Sequence, residues 1–448
     1  MALTGIQIYK LLPKTNCGEC GVPTCLAFAM NLAAGKAELA ACPHVSDEAK
    51  AELADASAPP IGIVEIGTGE RKLKIGGETV LFRHEKTFLN PTGIAVLVTD
   101  EMTDEEVGGR LERFKTLEYE RVGLNLRADL IAVKSVSGDA GKFEALATKV
   151  KNATDGGLIL MTEDAGVMQA GLNACADRKP LLYAASKDNV DQMADVAKGA
   201  DCPLAVKGES LDEVAELTTK LTEAGLKNLV IDSGARGVKK AFEDQVFIRR
   251  GALLKKFKPL GFPTIAFPCE MTDDFMKETL IASMFVAKYG AIVVLSDIQG
   301  ESLFPLLLAR MNVYTDPQRP MATSPGIYEI GGPTDASPVL VSCNFSLTYF
   351  IVSGEIESSR IPAWLVIVDT EGLSVLTAWA AGKFVGDAVG MAMKKCGIMD
   401  KVKHKKVIIP GYAAAISGDL EEELGDWEVM VGPRESAHIP AYLKEWTA

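Results

Sequence analysis

The alternation that decides the fold is clearest in residues 204–232, which read Leu204-Ala-Val-Lys-Gly-Glu-Ser-Leu-Asp-Glu-Val-Ala-Glu-Leu-Thr-Thr-Lys-Leu-Thr-Glu-Ala-Gly-Leu-Lys-Asn-Leu-Val-Ile-Asp232. The runs Leu204–Val206 and Leu229–Ile231 are short and aliphatic, which is typical of buried strands. Between them, Leu211–Leu221 places leucine or valine at helical spacing. The stretch therefore predicts one strand–helix–strand unit.

The same alternation continues on both sides of this unit. The predicted strands are Ile94–Val98, Leu130–Val133, Leu158–Met161, Leu181–Ala184, Leu204–Val206, Leu229–Ile231, Thr264–Phe267 and Ile292–Leu295. Eight such repeats are the number in a TIM (β/α)₈ barrel. A doubly wound open sheet would give the same local signals, so the barrel rests on the count alone. Asp232, Glu270 and Asp297 follow strands at the usual ligand-binding face, but they form no convincing acid–base pair, which favours a scaffold.

Two proline-rich passages divide the chain into three predicted domains. The passages are Pro59-Pro60 and Tyr314–Gly326. We place domain boundaries there because proline stops helices and stiffens connections. We predict a four-cysteine domain over residues 1–58, a barrel over 59–318 and a smaller α/β domain over 319–448. The strands predicted for the last domain are Val339–Ser342, Ala363–Val368, Val407–Ile409 and Glu428–Val431. The predicted fold class is therefore α/β, with a small N-terminal module.

The composition excludes several classes of partner. Lysine and arginine number 47 against 60 acidic residues, for a net charge of −13. So acidic a chain lacks the basic face that nucleic acid requires, and an anionic membrane surface would repel it. No apolar stretch approaches the ~20 residues of a membrane span. Nine cysteines are an odd number and too few for a disulfide scaffold, which indicates the reducing cytoplasm.

Four of the cysteines form the strongest motif in the chain. Cys17-Gly-Glu-Cys20-Gly-Val-Pro-Thr-Cys25 is followed, after sixteen intervening residues, by Cys42-Pro43. Four thiolates bind either tetrahedral zinc or a four-iron cluster. Three close cysteines and a distant Cys-Pro favour the iron–sulfur cluster, with structural zinc as the alternative. The residues Leu26–Ala34 predict a helix that Gly35 can end. Since one straight helix would carry Cys42 about 25 Å from Cys25, the chain is expected to turn back at Gly35-Lys36.

Several common cofactor motifs are absent from the sequence. There is no Walker sequence, and Lys72 stands where a dinucleotide fingerprint beginning at Gly67 would need glycine. The D-x-H-x-x-G motif, whose histidine ligates the cobalt of a corrinoid, is absent as well. Asp369 and Glu371 follow a predicted strand, where carboxylates either contact ligands or cap helices.

The order of these parts resembles the large (gamma) subunit of the corrinoid iron–sulfur proteins of the acetyl-CoA decarbonylase/synthase, or Wood–Ljungdahl, pathway. The cysteine motif continues as Leu26-Ala-Phe-Ala29, as in that family. Three C-terminal stretches are similar to its corrin-binding loops: Asn344–Phe350, Asp369–Ala378 and Val431–Glu435. The resemblance covers essentially the whole chain.

The resemblance implies two cofactors and the residues that hold them. The 4Fe–4S cluster would be bound by Cys17, Cys20, Cys25 and Cys42. A cobamide, with its lower base detached from cobalt and no protein ligand in its place, would lie on the C-terminal domain. Its expected contacts are Ser342 and Thr348 at the corrin, Gly372, Leu373, Ser374 and Val375 along the tail, and Ser436 near the ring. No catalytic side chain is expected, because the chemistry belongs to the cofactor.

The implied function is that of a methyl carrier that acts with partner enzymes. In the family, Co(I) accepts a methyl group from methyltetrahydrofolate through a methyltransferase. The methyl group then passes to carbon monoxide dehydrogenase/acetyl-CoA synthase, while the cluster returns an electron to Co(II). A smaller barrel subunit is expected to complete a heterodimer. The alternatives are an iron–sulfur electron-transfer protein on a barrel scaffold without a corrinoid, and a pterin methyltransferase with structural zinc.

Overall fold

The computed structural model describes residues 5–33, 37, 39–46, 49–50, 53, 59–316 and 320–448. Contacts divide the chain into two compact units, residues 1–119 with 126–314 and residues 120–125 with 315–448. The N-terminal module and the barrel thus share the first unit, and the predicted three-domain boundaries stay a prediction. Among the described residues, no helix has the length and apolar character needed to cross a membrane.

The N-terminal module packs two short helices on a small apolar core. Its elements are α1 (Gly5–Leu11), α2 (Cys25–Ala33) and a 3₁₀ turn at Leu39–Ala41. Helices α1 and α2 contact each other, and Ile8, Phe28 and Leu53 are buried beside two of the motif cysteines. The helix predicted after Cys25 is confirmed. The turn predicted at Gly35-Lys36 lies outside the described residues.

The middle of the chain alternates strands and helices. The strands are β1 (Ile63–Ile66), β2 (Leu73–Gly76), β3 (Gly93–Thr99), β4 (Tyr119–Arg121), β5 (Leu124–Leu126), β6 (Leu130–Lys134), β7 (Gly157–Met161), β8 (Leu181–Ala185), β9 (Leu204–Lys207), β10 (Leu229–Asp232), β11 (Ile265–Ala266) and β12 (Ile292–Leu295). The helices are α3 (Asp104–Thr116), α4 (Ala140–Ala153), α5 (Ala165–Cys175), α6 (Val190–Ala200), α7 (Leu211–Glu223), α8 (Val238–Leu254), α9 (Phe275–Ala287) and α10 (Gly300–Val313). Short 3₁₀ turns lie at Gly69–Arg71, Ala176–Arg178, Lys258–Leu260 and Pro268–Glu270. All eight predicted strands are confirmed.

Eight of these strands form one parallel sheet that closes on itself. Their order is β10-β9-β8-β7-β6-β3-β12-β11. At the two ends of this order, Ile231 bridges Thr264 in parallel, and the Ile231 amide donates to the Pro263 carbonyl at 2.8 Å. This contact joins β10 to β11, so the sheet is a barrel and not an open doubly wound sheet.

An antiparallel hairpin of β1 and β2 covers the amino-terminal end of the barrel. Val64, Ile66 and Ile75 are buried in the same apolar cluster as the inward side chains of the barrel strands. Gly157, the first residue of β7, lies close beneath Ile66, where a Cβ atom would be 3.7 Å from its side chain. The hairpin therefore fills the amino-terminal end of the barrel. The opposite end, at the carboxyl ends of the strands, is the one where barrels of this type bind ligands.

The second unit is a five-stranded sheet with helices on both faces. Its strands are β13 (Gly326–Ile330), β14 (Val339–Cys343), β15 (Ala363–Val368), β16 (Lys406–Ile409) and β17 (Glu428–Val431). Its helices are α11 (Ser346–Ser359), α12 (Val375–Ala380), α13 (Gly386–Cys396), α14 (Ser417–Leu424) and α15 (Ile439–Leu443), with 3₁₀ turns at Ile398–Asp400, Gly411–Ile416 and Ser436–His438. The order is β13-β15-β14-β16-β17, with β13 antiparallel at the edge.

Each face of this sheet has its own core. Successive side chains of β14 alternate between the faces, so that Val341 joins Phe384 and Leu420 on one side and Leu340 joins Ile356 on the other. The four strands predicted for this domain are confirmed, and the structure shows that they are parallel. Strand β13, which begins at the last residue of the passage that we interpreted as a linker, was not predicted.

Candidate functional site

The four motif cysteines lie at the edge of the N-terminal core. Cys25 and Cys42 are buried, Cys20 is half-buried against the same apolar cluster, and Cys17 is exposed. The spacing of the motif therefore brings three thiols to one apolar pocket. Glycine is needed in the loop between them, because Gly18 and Gly21 have φ values of +76° and +82°.

The start of α2 directs hydrogen-bond donors toward this loop. Thr24 Oγ1 accepts from the Ala27 amide at 3.1 Å, which makes Thr24 the N-cap. Asn16 Oδ1 accepts from the Cys25 amide at 2.8 Å, and the Asn16 amide donates to Cys25 Sγ at 3.4 Å. Such N–H···S hydrogen bonds stabilise thiolate ligands. The sequence analysis missed Asn16, although a polar residue next to Cys17 was a usable signal.

Cys17 lies close to His44, which is two residues after the fourth motif cysteine, Cys42. Ligand atoms of Cys17, Glu19 and His44 lie within 4.8 Å of one another, and His44 Nε2 is 3.1 Å from Glu19 Oε2. Among the described residues, Cys17, Glu19 and His44 form the group of three or more potential metal ligands within 4.8 Å of one another. No three of the four motif thiols, all in the described part of the chain, are therefore within 4.8 Å of one another. One zinc ion, with Zn–S bonds of about 2.3 Å, needs sulfur atoms roughly 3.8 Å apart. The donor set of four thiols is the one that a four-iron cluster requires, and tetrahedral zinc accepts the same set.

The predicted corrin contacts gather at the carboxyl edge of the C-terminal sheet. Ser342 is on β14, Thr348 is half-buried on α11, and Gly372 is buried in the loop after β15. Leu373 and Val375 are half-buried and pack against the core that contains β14. Ser374 precedes α12, and its hydroxyl bonds to Thr377 Oγ1 at 3.1 Å without capping the backbone. Ser436 begins a 3₁₀ turn that contacts α11.

Ser342 has an unusual environment. It is 2% exposed, and among the described residues its Oγ is the buried side-chain polar atom that has no hydrogen-bond partner. A buried hydroxyl without a partner costs about 1–3 kcal/mol. Such an atom, next to the loops that resemble corrin-binding loops, fits a ligand that supplies the missing partner.

The barrel has a cavity of about 410 Å³ at the carboxyl ends of β6–β10. Tyr183 donates to Asp232 Oδ2 at 2.6 Å, and Arg236 bonds to both Asp232 and Glu270. Lys134 Nζ bonds to Glu270 Oε1 at 3.0 Å. The structure thus brings together the predicted Asp232 and Glu270, and it adds three residues that the sequence analysis missed.

The charges in this cavity are paired with one another. Burial, together with the nearby Asp232 carboxylate, raises the pKa of Tyr183 well above 10, so its hydroxyl stays a donor. Burial would raise the pKa of Glu270, but hydrogen bonds and charge from Lys134 and Arg236 outweigh it and lower that pKa. Asp297 lies apart from this group and pairs with Arg113 Nη2 at 2.6 Å. The scaffold role expected for the barrel stays a prediction.

Comparison with known proteins agrees with both parts of the site. Residues 63–443 match the family model described as CO dehydrogenase/acetyl-CoA synthase delta subunit, and residues 12–44 match a model described as an Fe-S cluster. The chain is 47% identical to the corrinoid/iron-sulfur protein large subunit of Moorella thermoacetica, over 99% of each chain. The chain belongs to the corrinoid/iron–sulfur large-subunit family. The resemblance inferred from its motifs is therefore confirmed.

Other members of the large-subunit family come from archaea. The acetyl-CoA decarbonylase/synthase complex subunit gamma of Methanopyrus kandleri is 37% identical, over 99% of this chain and 98% of that protein. Among solved structures, the dihydropteroate synthase of Vibrio fischeri is 11% identical with a TM-score of 0.39, over 52% of this chain and 99% of that chain. The barrel of this large subunit is established by its own strand order, described above.

Proposed function

We propose that this chain is the methyl-carrying subunit of an acetyl-CoA-forming or acetyl-CoA-cleaving system. The observation that carries the proposal is the match to a corrinoid/iron-sulfur large subunit at 47% identity over 99% of both chains. So complete a match includes the cysteine loop, the barrel and the loops of the C-terminal sheet. An electron-transfer protein without a corrinoid would not need the last of these.

The two cofactors would be held by separate parts of the chain. Cys17, Cys20, Cys25 and Cys42 would bind the 4Fe–4S cluster, and the residues at the carboxyl edge of the C-terminal sheet would bind the cobamide. When bound, the cobamide supplies a cobalt centre that takes up and releases a methyl group, and the cluster supplies single electrons.

The chain's own residues would bind and orient these groups. Ser342 Oγ, buried and without a partner, would pair with the corrin or one of its side chains. Gly372, with φ +78°, permits the turn of the loop after β15, which would lie along the tail. The backbone N–H of Asn16 would stabilise the Cys25 thiolate by donating a hydrogen bond to its sulfur atom.

The proposed partners are a smaller subunit, a methyltetrahydrofolate methyltransferase and carbon monoxide dehydrogenase/acetyl-CoA synthase, in a reducing cytoplasm. The printed names of the relatives, a large subunit and a complex subunit, support an assembly of several chains. Helix α9 also exposes Met276 and Leu280, which are 51% and 69% accessible in the single chain. Exposed apolar side chains of this kind are common at subunit interfaces.

The cluster assignment is tested by replacing one motif cysteine. We expect anaerobically purified wild-type protein to contain iron and cobalt and to show both corrin and iron–sulfur absorption. The Cys20→Ala variant should lose most of its iron, retain the corrin bands and fail to reactivate an oxidised corrinoid with a low-potential electron donor. Metal analysis and visible spectra measure this outcome.

The matched control is Cys396→Ala. This thiol is half-buried on α13 and bonds to the Met393 carbonyl, outside the motif. The Cys396→Ala variant should retain both iron and cobalt. A colourless wild-type protein with zinc would contradict the cluster, and a brown protein without cobalt would support the electron-transfer alternative instead.

A further inference from the structure

We propose that Asn344 is a positioning residue that holds the corrinoid-binding loops in their binding arrangement. The inference rests on the proposed function, because that function assigns these loops a ligand. Asn344 directly follows β14 and is 3% exposed. Asn344 begins the stretch that resembles a corrin-binding loop, but it is not among the predicted cofactor contacts.

The side chain of Asn344 organises the loop after β15. Its Oδ1 accepts from the Thr370 amide at 3.0 Å and from the Gly372 amide at 2.9 Å. Thr370 Oγ1 lies 2.7 Å from the same oxygen and 2.8 Å from the Leu373 carbonyl, and its one proton can be donated to either. Asn344 Nδ2 donates to Asp369 Oδ1 at 3.0 Å. The buried side-chain amide thus bonds to three residues of the neighbouring loop, and the two backbone donors alone fill both lone pairs of Oδ1.

The backbone around Asn344 holds a second segment. The Asn344 carbonyl accepts from the Thr323 amide at 2.8 Å, and the Ser346 amide donates to the Met321 carbonyl at 2.9 Å. Ala322 forms an antiparallel bridge with Phe345. Residues 320–323, which we call the strap, therefore pair with the loop after β14.

The strap and the two loops meet at Gly372. A Cβ atom on Gly372 would lie 2.9 Å from the Pro320 carbonyl oxygen and 3.4 Å from Ala322 Cβ. Glycine is required here for this close approach as well as for its positive φ. Asn344 contacts the strap through its backbone and Gly372 through its side chain, so it connects all three segments.

This arrangement places the predicted contacts without using Asn344 as a contact. Ser342 lies two residues before it, and Gly372–Val375 begin in the loop that it holds. Ordering one loop residue costs about 1–2 kcal/mol, and a loop that is ordered before binding spares the ligand that cost. Loss of the amide should therefore weaken corrinoid binding, even though the variant loses no contact with the ligand.

The first test compares Asn344→Ala with Ile356→Val in the full-length, corrinoid-free chain. Ile356 is fully buried in the core on one face of the sheet, and its truncation should cost about 1 kcal/mol without altering the loops. Equilibrium dialysis against hydroxocobalamin, which carries a nucleotide tail, measures affinity. We expect Asn344→Ala to bind at least about tenfold more weakly than wild type and Ile356→Val to bind within about twofold.

A second measurement does not depend on any ligand. In corrinoid-free protein, hydrogen exchange of the amides in residues 320–323 and 369–373 should accelerate in Asn344→Ala and stay unchanged in Ile356→Val. A charge swap adds a rescue. Asn344→Asp alone places two carboxylates together, whereas Asn344→Asp combined with Asp369→Asn restores a donor–acceptor pair and should recover part of the affinity.

The outcomes separate the two proposals. If wild-type protein fails to bind hydroxocobalamin while the exchange result holds, the corrinoid function is wrong and the positioning role stands. If wild-type protein binds and Asn344→Ala binds as tightly as Ile356→Val, the positioning role is overturned. Unchanged exchange in Asn344→Ala would overturn it as well.

Discussion

At the residue scale, Ser342 shows how one atom can indicate a ligand. The strand Val339-Leu-Val-Ser-Cys343 is otherwise apolar and buried. A hydroxyl in such a strand is normally satisfied by a neighbouring backbone group. Its unpaired Oγ costs stability in the chain by itself, and a cofactor that bonds to it would recover that cost.

Replacement of this hydroxyl should therefore have opposite effects on stability and on binding. We expect Ser342→Ala to raise the free energy of unfolding of the corrinoid-free C-terminal unit by about 1 kcal/mol and to weaken corrinoid binding about fivefold. All four tryptophans, Trp364, Trp379, Trp427 and Trp446, belong to this unit, so urea unfolding monitored by tryptophan fluorescence reports on it alone.

The control for this prediction is Ser337→Ala. Ser337 is also buried, but its Oγ accepts from the Thr334 amide at 2.9 Å. Its loss should destabilise the unit by about 1 kcal/mol without changing affinity. Equal destabilisation in both variants would contradict the role assigned to Ser342.

At the scale of elements, helices α13 and α14 pack with almost no space between their backbones. A Cβ atom on Gly386 would lie 2.6 Å from Asp419 Cβ and 2.7 Å from the Leu420 amide nitrogen. Because one of these atoms belongs to the backbone, the clash is not relieved by a side-chain rotation. Glycine at position 386 therefore sets the distance between the two helices.

We expect Gly386→Ala to lower the free energy of unfolding of the C-terminal unit by about 1–3 kcal/mol. Gly418→Ala, on α14, is the matched control, because a Cβ atom there meets nothing within 4 Å. That change should raise the same free energy by about 0.5–1 kcal/mol, since alanine restricts the unfolded chain and favours helix. Tryptophan-monitored urea unfolding measures both, and a neutral Gly386→Ala would show that the helices separate freely.

The strands that were predicted and those that were missed differ in burial. The eight barrel strands are covered on both sides and appear as short aliphatic runs, so they were recognised. Strands β4 and β5 have three residues each and are largely exposed. Strand β13 is mostly half-buried at an edge. Such strands form because a neighbouring segment offers hydrogen bonds, and their own residues carry little signal.

At the scale of the whole molecule, the two units should unfold separately. Most of the helices lie in the first unit, whereas every tryptophan lies in the second. We therefore expect the urea transition measured by far-ultraviolet circular dichroism to differ from the one measured by tryptophan fluorescence. Two coincident transitions would indicate one cooperative unit.

Variants in each unit provide the control for this prediction. Gly386→Ala should shift only the fluorescence transition. Leu307→Ala removes a fully buried side chain of α10 from the barrel core, and it should shift the main circular dichroism transition by about 2–5 kcal/mol. If each variant moved both transitions equally, the division into two units would not describe the stability of the chain.

The sequence by itself determined the strand–helix alternation, the cysteine motif and the family, because these depend on the order and spacing of neighbouring residues. Only the tertiary structure decided that the sheet closes, since closure depends on a contact between Ile231 and Thr264. It alone showed that Ser342 Oγ has no partner and that Asn344 connects three segments. Hydrogen bonds between residues far apart in the chain exist only after folding, so no local pattern records them.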